Sequence, residues 1–273
     1  MLVLTRRAPK QPDEVRWDPV RGIERNARMD GLDAVVQLAG EPLANRPWTA
    51  SRRRLLWSSR VDATGVLLAS LAGLARPPGT FVGVSSIGRF GDCGDRVIDD
   101  DDPPGSGFLA DMSTAWEAAS ERGGELGARV AILRMTVALS PVAGAFPRMV
   151  APFRYVGGWL GDGRQYTSWI GIDDAVAALT FLMDEPSCNG AYNGTVPDAI
   201  PNFEWCSALG RALSVPVRTG APRWALRGAL GELADALFLA SLRARPRRLL
   251  EAGFAFQDVD AETTFRKLLG EVP

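Results

Sequence analysis

Short runs of apolar, often β-branched residues alternate along the first two thirds of the chain with longer stretches whose apolar residues recur every three or four positions. The runs LVLT (2–5), DAVVQLAG (33–40), TFVGVSS (80–86) and VAILRMTVAL (130–139) predict strands. The stretches 51–74, 106–123 and 172–186 predict amphipathic helices, the last with Asp173 and Asp174 placed to cap its N-terminus. Strands apolar on both faces that alternate with helices predict a parallel sheet in an α/β domain. Beyond Val196 the helical period takes over, in 201–214, in one long stretch over 222–244 and in 246–253. GFAF (253–256) then predicts a short strand before a last helix over 261–270. The expected division is a sheet-bearing domain over 1–196 and a smaller, mainly helical region over 197–273.

Composition narrows the chemistry. At 273 residues and 46% hydrophobic content, the chain buries a sizeable core. A formal charge of -1 gives no global attraction to nucleic acid or to an anionic membrane surface. No apolar run reaches spanning length and no secretory signal opens the chain, so a cytoplasmic protein is expected. Cys93, Cys188 and Cys206 lie far apart and have no metal-ligand spacing. The absence of histidine excludes every imidazole-based mechanism. Lysine occurs only at positions 10 and 267, and tyrosine only at 155, 166 and 192.

A dinucleotide-binding domain places a glycine-rich turn after its first strand, where backbone and helix N-terminus meet the pyrophosphate. After LVLT come RRAPKQPDEVRW, with no glycine and no helix opening. The glycine match at Gly88, Gly91 and Gly94 leads into the acidic turn 99–107 instead of a helix, and reads as a loop at a strand end. LVLTRR has the character of a second strand's end, where arginines accommodate a 2′-phosphate. Two readings of Thr5, Arg6 and Arg7 stand side by side: an NADP-selective site, or ordinary terminal surface.

Several blocks in order, DAVVQLAGEPLANRPWT, SSIGRFGD, FLADMSTAWEAA, GDGRQYTSWIGIDDAV and the tail through LLEAGFAF, resemble the atypical epimerase branch of the extended short-chain dehydrogenase/reductase superfamily, with its C-terminal domain of unknown function. The resemblance implies a Rossmann-like doubly wound parallel sheet, NADP as cofactor and an epimerase- or dehydratase-like oxidoreductase activity on a small molecule of unknown identity. It places LVLTRR on the family's second strand. The first βα unit would then lie before Met1, whether through a short form, a misplaced start or a trimmed gene. In strand order 3-2-1-4-5-6 such a gap is central, and it leaves two unpaired ladders unless strands 2 and 4 pair or another segment fills it. The same resemblance implies cofactor contacts at Thr5, Arg6, Arg7, Leu38, Ala39, Gly40 and Ser85, and substrate contacts at Arg134, Arg164 and Tyr166.

At the chemical centre the chain departs from the superfamily. The usual Tyr-x-x-x-Lys pair lowers the tyrosine pKa and shuttles a proton. Here the residues four places after the tyrosines are Trp159, Ile170 and Val196. Leu109 and Ser113 stand where the pair would be, and Ile87 near the usual Ser/Thr. Phe90 and Gly171 stand where the branch tends to have a hydroxyl and an imidazole. No catalytic residue is assigned on this basis. Ser85, Ser86, Glu117, Arg134, Arg164, Tyr166, Asp173 and Asp174 remain as cleft candidates, with Glu117 expected on the solvated surface and Arg134 expected beside an acidic or phosphate partner. A non-catalytic nucleotide or partner binder, or a truncated product without independent function, is the alternative.

Overall fold

The computed structural model describes residues 1–24 and 27–270. Four parallel strands form the main sheet, in spatial order Gly190–Gly194, Arg129–Met135, Thr80–Ser86 and Ala34–Gln37. The two central strands pair along their whole length, from Thr80 opposite Arg129 to Ser86 opposite Met135. Successive side chains point to opposite faces. Phe81, Val130 and Ile132 therefore pack into one core with Leu67, Leu68 and Leu71 of helix Ala63–Ala72. Val82, Ala131 and Leu133 pack into another, with Ala178 and Leu182 of helix Ile172–Asp184. Covering both faces accounts for the unbroken apolar character of these strands, and the expected α/β architecture is the one observed.

Val3–Thr5 belongs to a second, smaller sheet, parallel to Glu14–Asp18, which in turn pairs antiparallel with Gly22–Ile23. No ladder joins Val3–Thr5 to Ala34–Gln37 among the described residues. Leu2, Leu4 and Val35 nevertheless pack on one shared core with Val15, Trp17 and Phe81. The two sheets thus lie on one core with their facing edges unpaired, and Val3, Val36 and Leu38 are exposed there.

The C-terminal part differs from its expected pattern in two places. The stretch 222–244 is not one helix. Gly231, at φ +61°, ends helix Arg223–Leu230. A short helix and a wide π-turn (Asp235–Leu239) then lead to the strand Arg243–Ala244. Among the described residues, GFAF pairs with no strand. Gly253 (φ +91°) turns the chain, and Phe254 and Phe256 pack edge-to-face at 4.8 Å instead. Helices Asn202–Leu213 and Ala261–Leu269 close over helix Phe146–Phe153 around Phe265, whose ring lies 5.9 Å from Phe146 and 4.8 Å from Trp205.

Phe265 is fully buried. Phe265→Ala is expected to cost about 3–5 kcal/mol, read as a lower urea midpoint at unchanged slope. A loss below about 1 kcal/mol would show that this cluster does not hold the C-terminal helices.

Candidate functional site

Two polar clusters form at the C-terminal ends of the strands. The first is built around Glu117, which leaves helix Phe108–Glu121 on the face that also carries Leu109, Met112, Ser113, Trp116 and Ser120. That three- and four-residue spacing turns all of them inward. Glu117 is accordingly 4% exposed, not a surface residue as the sequence reading expected. The Arg134 guanidinium binds both of its carboxylate oxygens, Nε to Oε1 and Nη2 to Oε2, each at 2.9 Å. The Ser85 hydroxyl donates to Oε1 at 2.8 Å, and Arg89 Nε stands 3.6 Å from Oε2. The acidic partner expected for Arg134 is therefore present.

The network continues outward from Arg134. Its Nη1 donates to the Asp100 carbonyl, and its guanidinium lies 5.4 Å over the Phe90 ring. The Asp100 carboxylate accepts the backbone N–H groups of Asn193 and Arg248. Burial pushes its acid above the usual carboxylate range against the pull of these donors. Two guanidiniums and a hydroxyl hold the Glu117 carboxylate in place, so the cluster ties strand, helix and loop together.

The residues that the family resemblance sets at the proton-relay positions are buried. Ile87, Phe90 and Leu109 are buried, and the Ser113 hydroxyl is buried without a hydrogen-bond partner. A Cβ on Gly88 would meet Leu109 Cδ2 at 2.4 Å, so the leucine fills the space above that loop. At Gly171 the missing side chain has a local explanation. An added Cβ would lie 2.1 Å from Asp258 Oδ2, and Lys267 holds that carboxylate at 3.1 Å while reaching Asp173 at 2.9 Å. Asp173 and Asp174 lie in the first turn of helix Ile172–Asp184 but do not cap it. Asp174 is buried and instead accepts the N–H groups of Gln257 and Asp258, at 3.0 and 2.9 Å.

The second cluster joins the ends of Val3–Thr5 and Ala34–Gln37. Arg6 follows Thr5, is 71% exposed, and lies 3.7 Å from Glu41 Oε1. Arg7 turns back to grip both carboxylate oxygens of Glu14. Leu38 is 62% exposed, and the Ala39 N–H donates to Gln37 Oε1 at 2.9 Å. Thr49 caps helix Ala50–Trp57, whose first turn sends Arg52 to Glu41 Oε2 at 3.2 Å. The following π-turn, Ser58–Asp62, carries Arg60 inward against Trp116. Burial lowers the Arg60 pKa to about 10, which leaves it charged at neutral pH.

The structure thus brings Ser85 to Arg134, and Arg6 to the Leu38–Gly40 turn through Glu41. Tyr166 is elsewhere, its ring under Arg243 at 4.5 Å and its N–H on Ser241 Oγ. Arg164 is exposed on the preceding turn. A cavity of about 510 Å³ between Asn202–Leu213 and Ala261–Leu269 is bordered by none of the nominated cofactor or substrate contacts. Arg60, Arg89, Asp100 and Glu41 were not singled out from sequence. For Arg60 the available signal was an arginine on the inward face of an otherwise apolar helical repeat.

With this geometry in place, comparison with known proteins is informative. The family model for the NAD dependent epimerase/dehydratase family matches residues 6–193, and a domain of unknown function (DUF1731) matches 221–268. Epimerase family protein Mb2239 of Mycobacterium bovis is 39% identical over 94% of this chain and 85% of its own length. Epimerase family protein SDR39U1 of Bos taurus is 31% identical over 90% of this chain and 83% of its own. The crystal structure of human SDR39U1 (isoform 2) with NADPH superposes with a TM-score of 0.89 at 26% identity, covering 99% of this chain and 91% of that one.

Glu117→Ala leaves Arg134 buried and unpaired, and is expected to cost about 3–5 kcal/mol in chemical denaturation. Adding Arg134→Met should recover most of that loss. An effect of Glu117→Ala within about 0.5 kcal/mol would restore the surface reading. Gly171→Ala is expected to lower the melting temperature, and Asp258→Ala in the same chain to relieve that loss; independent, additive effects would contradict the crowding.

Proposed function

The chain belongs to the NAD dependent epimerase/dehydratase family, and on that premise we propose that it binds NADP(H) at the strand ends near Thr5, Arg6, Leu38, Ala39, Gly40 and Ser85. The observation that carries the choice of the phosphorylated cofactor is Arg6. Its side chain is 71% exposed, with its guanidinium 3.7 Å from Glu41, at the end of the strand Val3–Thr5. Loosely held arginines keep donors free for the two-pronged grip that a 2′-phosphate offers. Arg7 has its guanidinium committed to Glu14 and contributes mainly to the shape of the turn. The NADPH in the human SDR39U1 structure supports the same assignment. Exposed Leu38 beside Gly40 offers a flat apolar surface suited to a nucleotide base or ribose.

Bound NADP(H) supplies hydride chemistry, and the chain's own residues set what accompanies it. With Ile87, Leu109 and a buried Ser113 at the relay positions, proton exchange through a tyrosine–lysine pair is not available. The substrate is proposed to be a small molecule contacted by exposed Arg164, with Arg134 and Tyr166, nominated from sequence, held by their own partners. The same buried, apolar relay positions favour a second reading, a nucleotide binder without turnover.

The purified chain is expected to bind NADPH more tightly than NADH in a fluorescence titration. Arg6→Ala should narrow that preference by roughly tenfold, and Arg7→Ala should leave it unchanged. No NADPH binding at millimolar concentration by folded protein sinks the cofactor assignment. Equal loss in both variants moves the phosphate contact away from Arg6 alone.

A further inference from the structure

Helix Phe146–Phe153 turns two faces to its surroundings. Phe146, Val150 and Phe153 point inward and pack with Phe265 and Leu268 of the last helix. Pro147 and Ala151, four residues apart, form a neighbouring stripe that Arg154 and Tyr155 continue past the helix end. A cavity of about 420 Å³ lies between this stripe and Pro141, Leu268 and Leu269, with Phe146 and Val150 as its buried floor. Its size is that of a small-molecule site. Exposed apolar side chains accompany it. Tyr155 is 88% exposed, and Val142 and Val156, the chain neighbours of Pro141 and Tyr155, are 89% and 71% exposed.

Charge decides what such a cavity can take. Apart from Arg154 and the hydroxyl of Tyr155, its wall is apolar. Among the described residues no acidic side chain borders it, and no carboxylate or carbonyl engages the Arg154 guanidinium. Arg148, on the same helix, is by contrast held by Asn45. An uncommitted arginine at the rim of an apolar cavity complements one ligand pattern, a hydrocarbon body that ends in a single negative charge. The guanidinium fork fits two oxygens of a carboxylate, and the phenol adds a further donor. A neutral hydrocarbon would leave that fork unused, and a cation would be repelled. A polyanion would bring charge that nothing else in the wall offsets.

We propose that this cavity binds a monocarboxylate with a linear hydrocarbon body. Arg154 and Tyr155 hold the carboxylate, and the chain lies along Pro147, Ala151, Leu268 and Leu269. The site shares no residue with the contacts proposed for cofactor and substrate, and it does not depend on the NADP(H) reading.

The test is a titration of decanoate, below its aggregation concentration, into the full chain, followed by calorimetry and by thermal melting. The wild-type chain should bind and melt higher with rising decanoate. From hexanoate to decanoate the affinity should rise about three- to fourfold per methylene, the factor that burying one CH₂ supplies. Arg154→Gln should weaken binding by roughly tenfold, and the exposed control Arg21→Gln should not. Ala151→Trp fills the cavity and should abolish binding. Ala151 and Arg154 are both exposed, so both variants are expected to fold. No decanoate response in the wild type, an equal response to decyltrimethylammonium, or wild-type affinity in either variant overturns the proposal. So does a chain that ignores decanoate but forms a dimer that Ala151→Trp dissolves, or that is captured only by phosphatidylglycerol vesicles. Those outcomes give the face to a second copy or to a membrane.

Discussion

One buried carboxylate organises the strand ends. Glu117 comes from a helix, Ser85 and Arg134 from the two central strands, and Arg89 from the loop between strand and helix. Through Arg134 the contact passes to Asp100, and through Asp100 to the edge strand at Asn193 and to the C-terminal segment at Arg248. Charges buried this deeply tolerate little misplacement, because separating either partner leaves an uncompensated ion. The relative positions of the sheet, its covering helix and the C-terminal segment are therefore tied to one ion pair.

The same arrangement gives the local chemistry its character. A carboxylate engaged by guanidiniums on both oxygens stabilises a shape. Around it, Ile87, Phe90 and Leu109 are buried and exclude water. The cationic cluster at Arg6, Arg52 and Arg60 is the converse: fixed positive charge exceeds the negative charge available to it.

Much of the fold was legible in the sequence. Strand Thr80–Ser86 coincides with its apolar run, and the three helices of the sheet domain follow their periodicity, because both signals report burial on one or two faces. Strands Glu14–Asp18 and Gly190–Gly194 escaped. EVRWD carries three charged residues beyond its apolar pair, and GAYNG owes its place to pairing with Arg129–Met135, not to propensity. The long apolar stretch 222–244 hid a break, since Gly231 in an otherwise helical period gives no sign of whether it will take a positive φ. At the site, Arg134 signalled its burial by lying inside an apolar strand. Glu117 did not, because a helix face shows which residues turn inward only when the partner strand is known. The absence of a tyrosine–lysine pair needed no structure, whereas the filling of the Gly171 site by Asp258 brings together residues that no local pattern connects.

The facing edges of Val3–Thr5 and Ala34–Gln37 bear on how the protein behaves in bulk. Each presents backbone donors and acceptors without partners in the ladder, next to exposed Val3, Val36 and Leu38. Such an edge is a template for extended segments from other molecules. With a net charge of -1, long-range repulsion does little to keep copies apart. The colloidal stability of this chain therefore depends on what occupies a narrow strip of backbone more than on the strength of its core: a solution of well-folded molecules can still be self-adhesive along that strip.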